Sequence, residues 1–144
     1  MTLPPAVIIH GLPDALAALA PGRPVTLLSA PGAASYAGCA WWRAVIAAAL
    51  AAYPGATAPD ALDCADAPGR VLEALSAGCR LVVLQPGSAW ADIAARAAAS
   101  GARLLADAPA ALDLGRRGMD RHLASWLAAP DIMLPAGDTG STIG

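Results

Sequence analysis

Apolar residues along the chain come in two textures, short continuous runs of four to six and longer segments rich in Ala and Leu, and the two alternate. Pro-Gly or Gly stands at nearly every junction. Short apolar runs bounded by turn residues read as strands buried on both faces, and the longer segments as helices, so the alternation predicts βαβ units around a parallel sheet. Five strands follow: Ala6 to His10, Val25 to Ser29, Ala61 to Cys64, Leu81 to Leu84, and Arg103 to Ala106. The fourth is apolar on both faces and reads as central, whereas Asp63 gives the third a polar face or edge.

The helices are marked by their ends. Pro13 to Ala20 has Pro in its first turn and stops at Pro21-Gly22, making a short crossover. The long apolar helix Tyr36 to Tyr53 is opened by Ser35 and closed by Pro54-Gly55. Gly69 to Ala77 takes Asp66 as its N-cap and ends at Gly78; Ala89 to Ser100 takes Ser88, pairs Asp92 with Arg96, and stops at Gly101. The amphipathic helix Met119 to Ala128 turns Leu123, Trp126 and Leu127 inward and Arg117 and Arg121 outward. After Pro130 the chain is rich in Gly, Pro and small polar residues, so a single domain over 1–129 is expected, with 130–144 a poorly ordered tail unless Ile132-Met133-Leu134 docks.

These elements predict a three-layer α/β domain with an open, doubly wound sheet of Rossmann-like or flavodoxin-like kind. With the third and fifth strands least apolar, the order 3-2-1-4-5 is favoured over 2-1-3-4-5. The winding then reverses between the first and fourth strands, and the ligand crevice lies beyond their carboxyl ends. Lining it are His10 and Gly11 from one strand, Gln85, Gly87 and Ser88 from the other, and Ser29 beside them. Glycines admit a ligand to the backbone, and a helix beginning after Ser88 offers N–H groups to an anion. The βα turns Ser29-Ala30-Pro31-Gly32 and Gln85-Pro86-Gly87 share their turn chemistry.

Charge and composition narrow the function. A net charge of −2 without a basic stripe argues against nucleic acid. The absence of Lys excludes the usual phosphate-loop NTPase chemistry, and no G-x-G-x-x-G follows a strand, so no cofactor is expected. Three cysteines, Cys39, Cys64 and Cys79, show neither disulfide nor metal-ligand spacing and read as reduced thiols of a cytoplasmic protein. No apolar run approaches the roughly 20 residues of a membrane span, and the N-terminus lacks a signal-peptide pattern.

Three further features bear on chemistry. Cys64-Ala65-Asp66-Ala67-Pro68-Gly69-Arg70 resembles the C-x5-R phosphate loop of cysteine phosphatases and some arsenate reductases, which implies a Cys64 nucleophile and an Arg70 oxyanion clamp. Asp66, Pro68 and Val71 depart from that pattern, and Cys64 is expected not to act as a nucleophile. Asp138-Thr139-Gly140-Ser141 looks like the aspartic-protease tetrapeptide but lacks a second carboxylate and a strand context. Trp41 and Trp42 point about 100° apart on their helix and read as core. The opposite face, with Ala40, Ala47 and Ala51, is apolar, which predicts a homodimer through the Tyr36 to Tyr53 helix or cover by the C-terminal helix with Trp126 beside the tryptophan pair. Small- or anionic-ligand binding at the sheet's carboxyl edge is the leading function; a ligand-free assembly module and a C-x5-R enzyme are the alternatives.

Overall fold

A computed structural model of the chain describes residues 1–135. In order, the elements are β1 (Thr2–Leu3), β2 (Ala6–Ile9), α1 (Leu12–Leu19), β3 (Thr26–Ser29), α2 (Ala33–Tyr36), α3 (Cys39–Ala52), β4 (Asp60–Asp63) and α4 (Pro68–Ser76). They continue with β5 (Leu81–Val83), α5 (Trp90–Ala99), β6 (Arg103–Leu105), β7 (Ala111–Asp113), a 3-10 turn (Met119–His122) running into α6 (Leu123–Leu127), and β8 (Ile132–Met133).

The main sheet is parallel and has six strands in the order β6-β5-β4-β3-β2-β7. This corrects the expected five strands and the expected order 3-2-1-4-5. From β2 to β6 each strand is laid beside the one before it, so the winding does not reverse among these strands, and β7 joins at the far edge beside β2. The expectation put the third strand at an edge because of Asp63. That carboxylate is instead satisfied by backbone, its Oδ1 accepting from the N–H of Gly32 (3.2 Å) and of Ala65 (2.8 Å). A buried acid with such partners sits comfortably in an interior strand. The sixth strand, β7, is only three residues long and falls in a stretch that read as an irregular turn.

Right-handed crossovers that step the same way place their helices on the same face. The cores agree. One cluster joins Val7, Leu27, Leu62, Val82 and Leu112 to buried residues from every α-helix. The other joins alternate strand residues, Leu28, Ala61, Leu81, Val83 and Leu105, to Leu3 and contains no helical residue. The three-layer expectation is corrected accordingly: helices cover one face only, and an antiparallel ribbon of β1 and β8 covers part of the other. Val82 and Val83 are buried on opposite faces.

The sheet is also curled. Laid flat, its outermost strands would stand about 24 Å apart. The connection from Leu105 to Ala111 reaches at most about 22 Å and must also descend from the end of β6 to the start of β7. A flat sheet does not permit this, so the sheet bends, and no backbone ladder joins its edge strands β6 and β7. The helices lie on the convex side. The ribbon closes the concave side at the amino ends of the strands, where Thr26 Oγ1 donates to the Pro4 carbonyl (2.7 Å) and Arg103 contacts Met1 and the Pro135 carbonyl.

Local boundaries differ from expectation in three places. The helix expected from Tyr36 to Tyr53 is broken at Gly38, whose φ of 93° ends α2 and starts α3. Neither Asp66 nor Ser88 caps a helix: the N-cap positions are Ala67 and Ala89, without side-chain capping bonds. Trp126 donates its Nε1–H to the Ala6 carbonyl (2.7 Å) and packs against the helix-side core. Asp92 and Arg96 pair as expected, at 3.2 Å. The Asp138 to Ser141 motif lies outside the described residues.

Candidate functional site at the carboxyl mouth

Strand side chains alternate with a period of two. On the concave face an apolar layer is formed by Ile8, Leu28, Ala61, Val83, Leu105 and Ala111. Two residues further on stand His10, Ala30, Asp63, Gln85, Asp107 and Asp113, of which Asp63 and Asp113 are still within strands. One step along the strands therefore replaces an apolar layer by one in which five of the six positions are polar, Ala30 being the exception. These positions stand at the carboxyl ends of the strands, the mouth of the sheet.

Two adjacent strands bring His10 and Asp113 together. The imidazole Nε2–H donates to Asp113 Oδ1 at 2.7 Å, and the Gly115 N–H donates to the same oxygen at 2.9 Å. The backbone N–H of His10 donates to Asp14 Oδ2 at 2.9 Å, tying the end of β2 to the first turn of α1. Partial burial works to raise the Asp113 carboxyl, but the bonds from His10 and Gly115 and the nearby charges of His10 and Arg116 outweigh it, and the carboxyl is held below its ordinary range. With Nε2 committed, Nδ1 is the nitrogen left to meet a ligand, an acceptor whenever the ring is neutral. The His10 side chain is 41% exposed. Gly115 is required: a Cβ there would lie inside the contact distance of the imidazole.

A second, buried network laces β3, β4 and β5. Ser29 Oγ accepts from the Asp63 N–H (2.9 Å) and donates to the Ala30 carbonyl (3.1 Å). Asp63, 7% exposed, holds the Ala65 N–H, and the Ala65 carbonyl accepts from the Gln85 N–H at 2.7 Å. Ala65 has a φ of 50°, the only positive value at a non-glycine residue among those described. A conformation costing on the order of 1 kcal/mol or more persists where surrounding bonds over-determine it, and here it fixes the direction of the loop leaving the central strand.

The residues singled out in the sequence are thus distributed along the rim. His10 and Gly11 end β2, Ser29 ends the neighbouring β3, and Gln85 follows β5, two strands further on. Gln85, Gly87 and Ser88 together line a small cavity of about 170 Å³ with Asp66, Pro68 and Trp90. Asp113, Gly115 and the function of Asp63 were missed. The period-two step beyond each apolar run was the available signal, legible only once all six strands are known to share one concave face.

The C-x5-R residues form no cradle. Cys64 is fully buried and desolvation pushes its thiol up to about 12, while Arg70 pairs with Glu73 at 2.9 Å on the surface of α4. Burial likewise raises Cys79 to about 11. Among the described residues no group of three His, Cys, Asp or Glu side chains is arranged to hold a metal ion, and no helix is long and apolar enough to cross a membrane. No protein-family model matches the chain, and no curated protein is significantly similar to it in sequence.

Proposed function

We propose that the protein binds a small polar molecule in the mouth at the carboxyl ends of its strands, with His10 as the residue that meets it and exchanges a proton or hydrogen bond with it. The observation that carries this reading is the His10–Asp113 pair: a part-exposed imidazole whose one nitrogen is anchored to a carboxylate at 2.7 Å, leaving the other directed to chemistry. By analogy with parallel β/α barrels, ligands are expected at the carboxyl ends of the strands. Ser29, Asp63 and Ala65 serve as the rigid wall of the site. Gln85 and Asp107, both exposed, complete its polar lining.

The test is a thermal-shift screen of small polar metabolites against the wild type and His10→Asn. Stabilising compounds are expected with the wild type, and their effect should vanish in His10→Asn while the unliganded melting point stays within a few degrees. Equal stabilisation of both proteins would refute the reading.

A second reading, assembly through α3, is favoured by one feature. The exposed face of α3 carries Ala40, Ala44, Ala47, Ala48 and Ala51, and its one charge, Arg43, is turned to Asp60 at 3.1 Å. A second copy packing on this face would make the homodimer. Light scattering should then give a dimer mass for the wild type and a monomer mass for Ala47→Arg, and a wild-type monomer at high concentration would eliminate it.

A further inference from the structure

We propose that Arg116 is the anion-binding residue of the mouth, so that the ligand reaching His10 carries a carboxylate or phosphate group held by the Arg116 guanidinium. This rests on the mouth being the ligand site and adds the chemical class of what enters it.

The loop after β7 places Arg116 beside the pair. Its N–H donates to the Asp113 carbonyl at 3.2 Å, its own carbonyl accepts from the Met119 N–H at 3.2 Å, and Gly118, with a φ of 81°, closes the turn. Arg116 therefore sits on a short, pinned segment three residues past the carboxylate that anchors His10. Its charge acts on Asp113 without forming an ion pair. Arg43, Arg70 and Arg96 each hold a carboxylate, whereas Arg116 forms no salt bridge among the described residues and is exposed.

Two acids of the mouth are each engaged by other donors through one oxygen. Asp113 Oδ1 takes both His10 and Gly115, and Asp63 Oδ1 takes two backbone amides. Arg117, also exposed, adds a second positive charge on the same turn. An unpaired guanidinium offers parallel N–H groups that match the two oxygens of a carboxylate or phosphate, a geometry an ammonium cannot reproduce. An oxyanion gripped there leaves the remainder of a small molecule to lie against His10.

The experiment follows the His10 ring and the backbone amides by heteronuclear NMR during titration with inorganic phosphate, malonate and the neutral polyol erythritol. Phosphate or malonate should shift the His10 ring and the Gly115 amide saturably. Arg116→Gln should weaken that binding by about tenfold or more, Arg116→Lys should be intermediate, and Arg23→Gln, outside the mouth, should change nothing. A response to phosphate alone identifies a phosphate monoester as the ligand type, and a response to malonate alone a carboxylate; either supports the proposal. Unchanged anion binding in Arg116→Gln would overturn it. Shifts of His10 with erythritol but with neither anion would overturn it while leaving the mouth as the ligand site. Anion shifts that depend on Arg116 but leave His10 unmoved, or silence with all three probes, would remove both.

Discussion

Gly115 owes its identity to the histidine it faces rather than to its own backbone, because the space a Cβ would fill is occupied by the His10 ring. Gly115→Ala is therefore expected to push the imidazole off Asp113, and the Asp113 carboxyl should titrate closer to its ordinary value, measurable by carbon NMR. The stability consequence has a definite sign. A carboxyl whose folded pKa is lowered contributes stability above its unfolded value, and that contribution is lost as pH falls through the folded value. The wild type should thus lose stability in the acid range through Asp113, and Asp113→Asn should lack that part of the loss.

The thiols run the other way. Their folded values are raised by burial, to about 12 for Cys64 and about 11 for Cys79, so stability is full below the ordinary thiol range and declines as pH rises toward those values. At mildly alkaline pH a thiol reagent should label none of the three buried cysteines until the protein unfolds. Rapid labelling of Cys64 in the native state would restore it as a candidate nucleophile.

Among the elements, the β3–β4–β5 junction carries the site's rigidity. Asp63→Ala would strand the half-buried Gly32 and Ala65 amides, and with each unsatisfied donor costing about 1–3 kcal/mol when fully buried, a loss of about 1–2 kcal/mol is expected from denaturant unfolding. A loss under 0.5 kcal/mol would mean that water replaces the carboxylate. Asp63 also shows what the sequence conceals. Apolar runs and their Gly and Pro punctuation marked β2 to β6 and α1, α4 and α5 to within a residue or two, because both signals are local. The neighbour of each strand is not local. One aspartate read as a sign of exposure moved β4 from the interior to an edge, and the crevice moved with it. His10, Ser29 and Gln85 were legible because they end strands. Asp113 was not, because a three-residue strand after Pro109 leaves no periodic run to read.

Over the whole molecule, unidirectional winding produces the curl, the curl turns alternate residues of six strands toward one axis, and the change from apolar to polar along that axis makes a mouth. Small molecules are expected to bind in that mouth. The most direct measurement is an amide and imidazole shift map taken with a library of small polar metabolites, scored by position. Perturbations gathered on His10, Asp63, Gln85, Asp107 and Gly115 are the predicted result. Perturbations gathered instead between α1 and α3, around Arg23 and Tyr53, where a groove of about 440 Å³ lies, would contradict it.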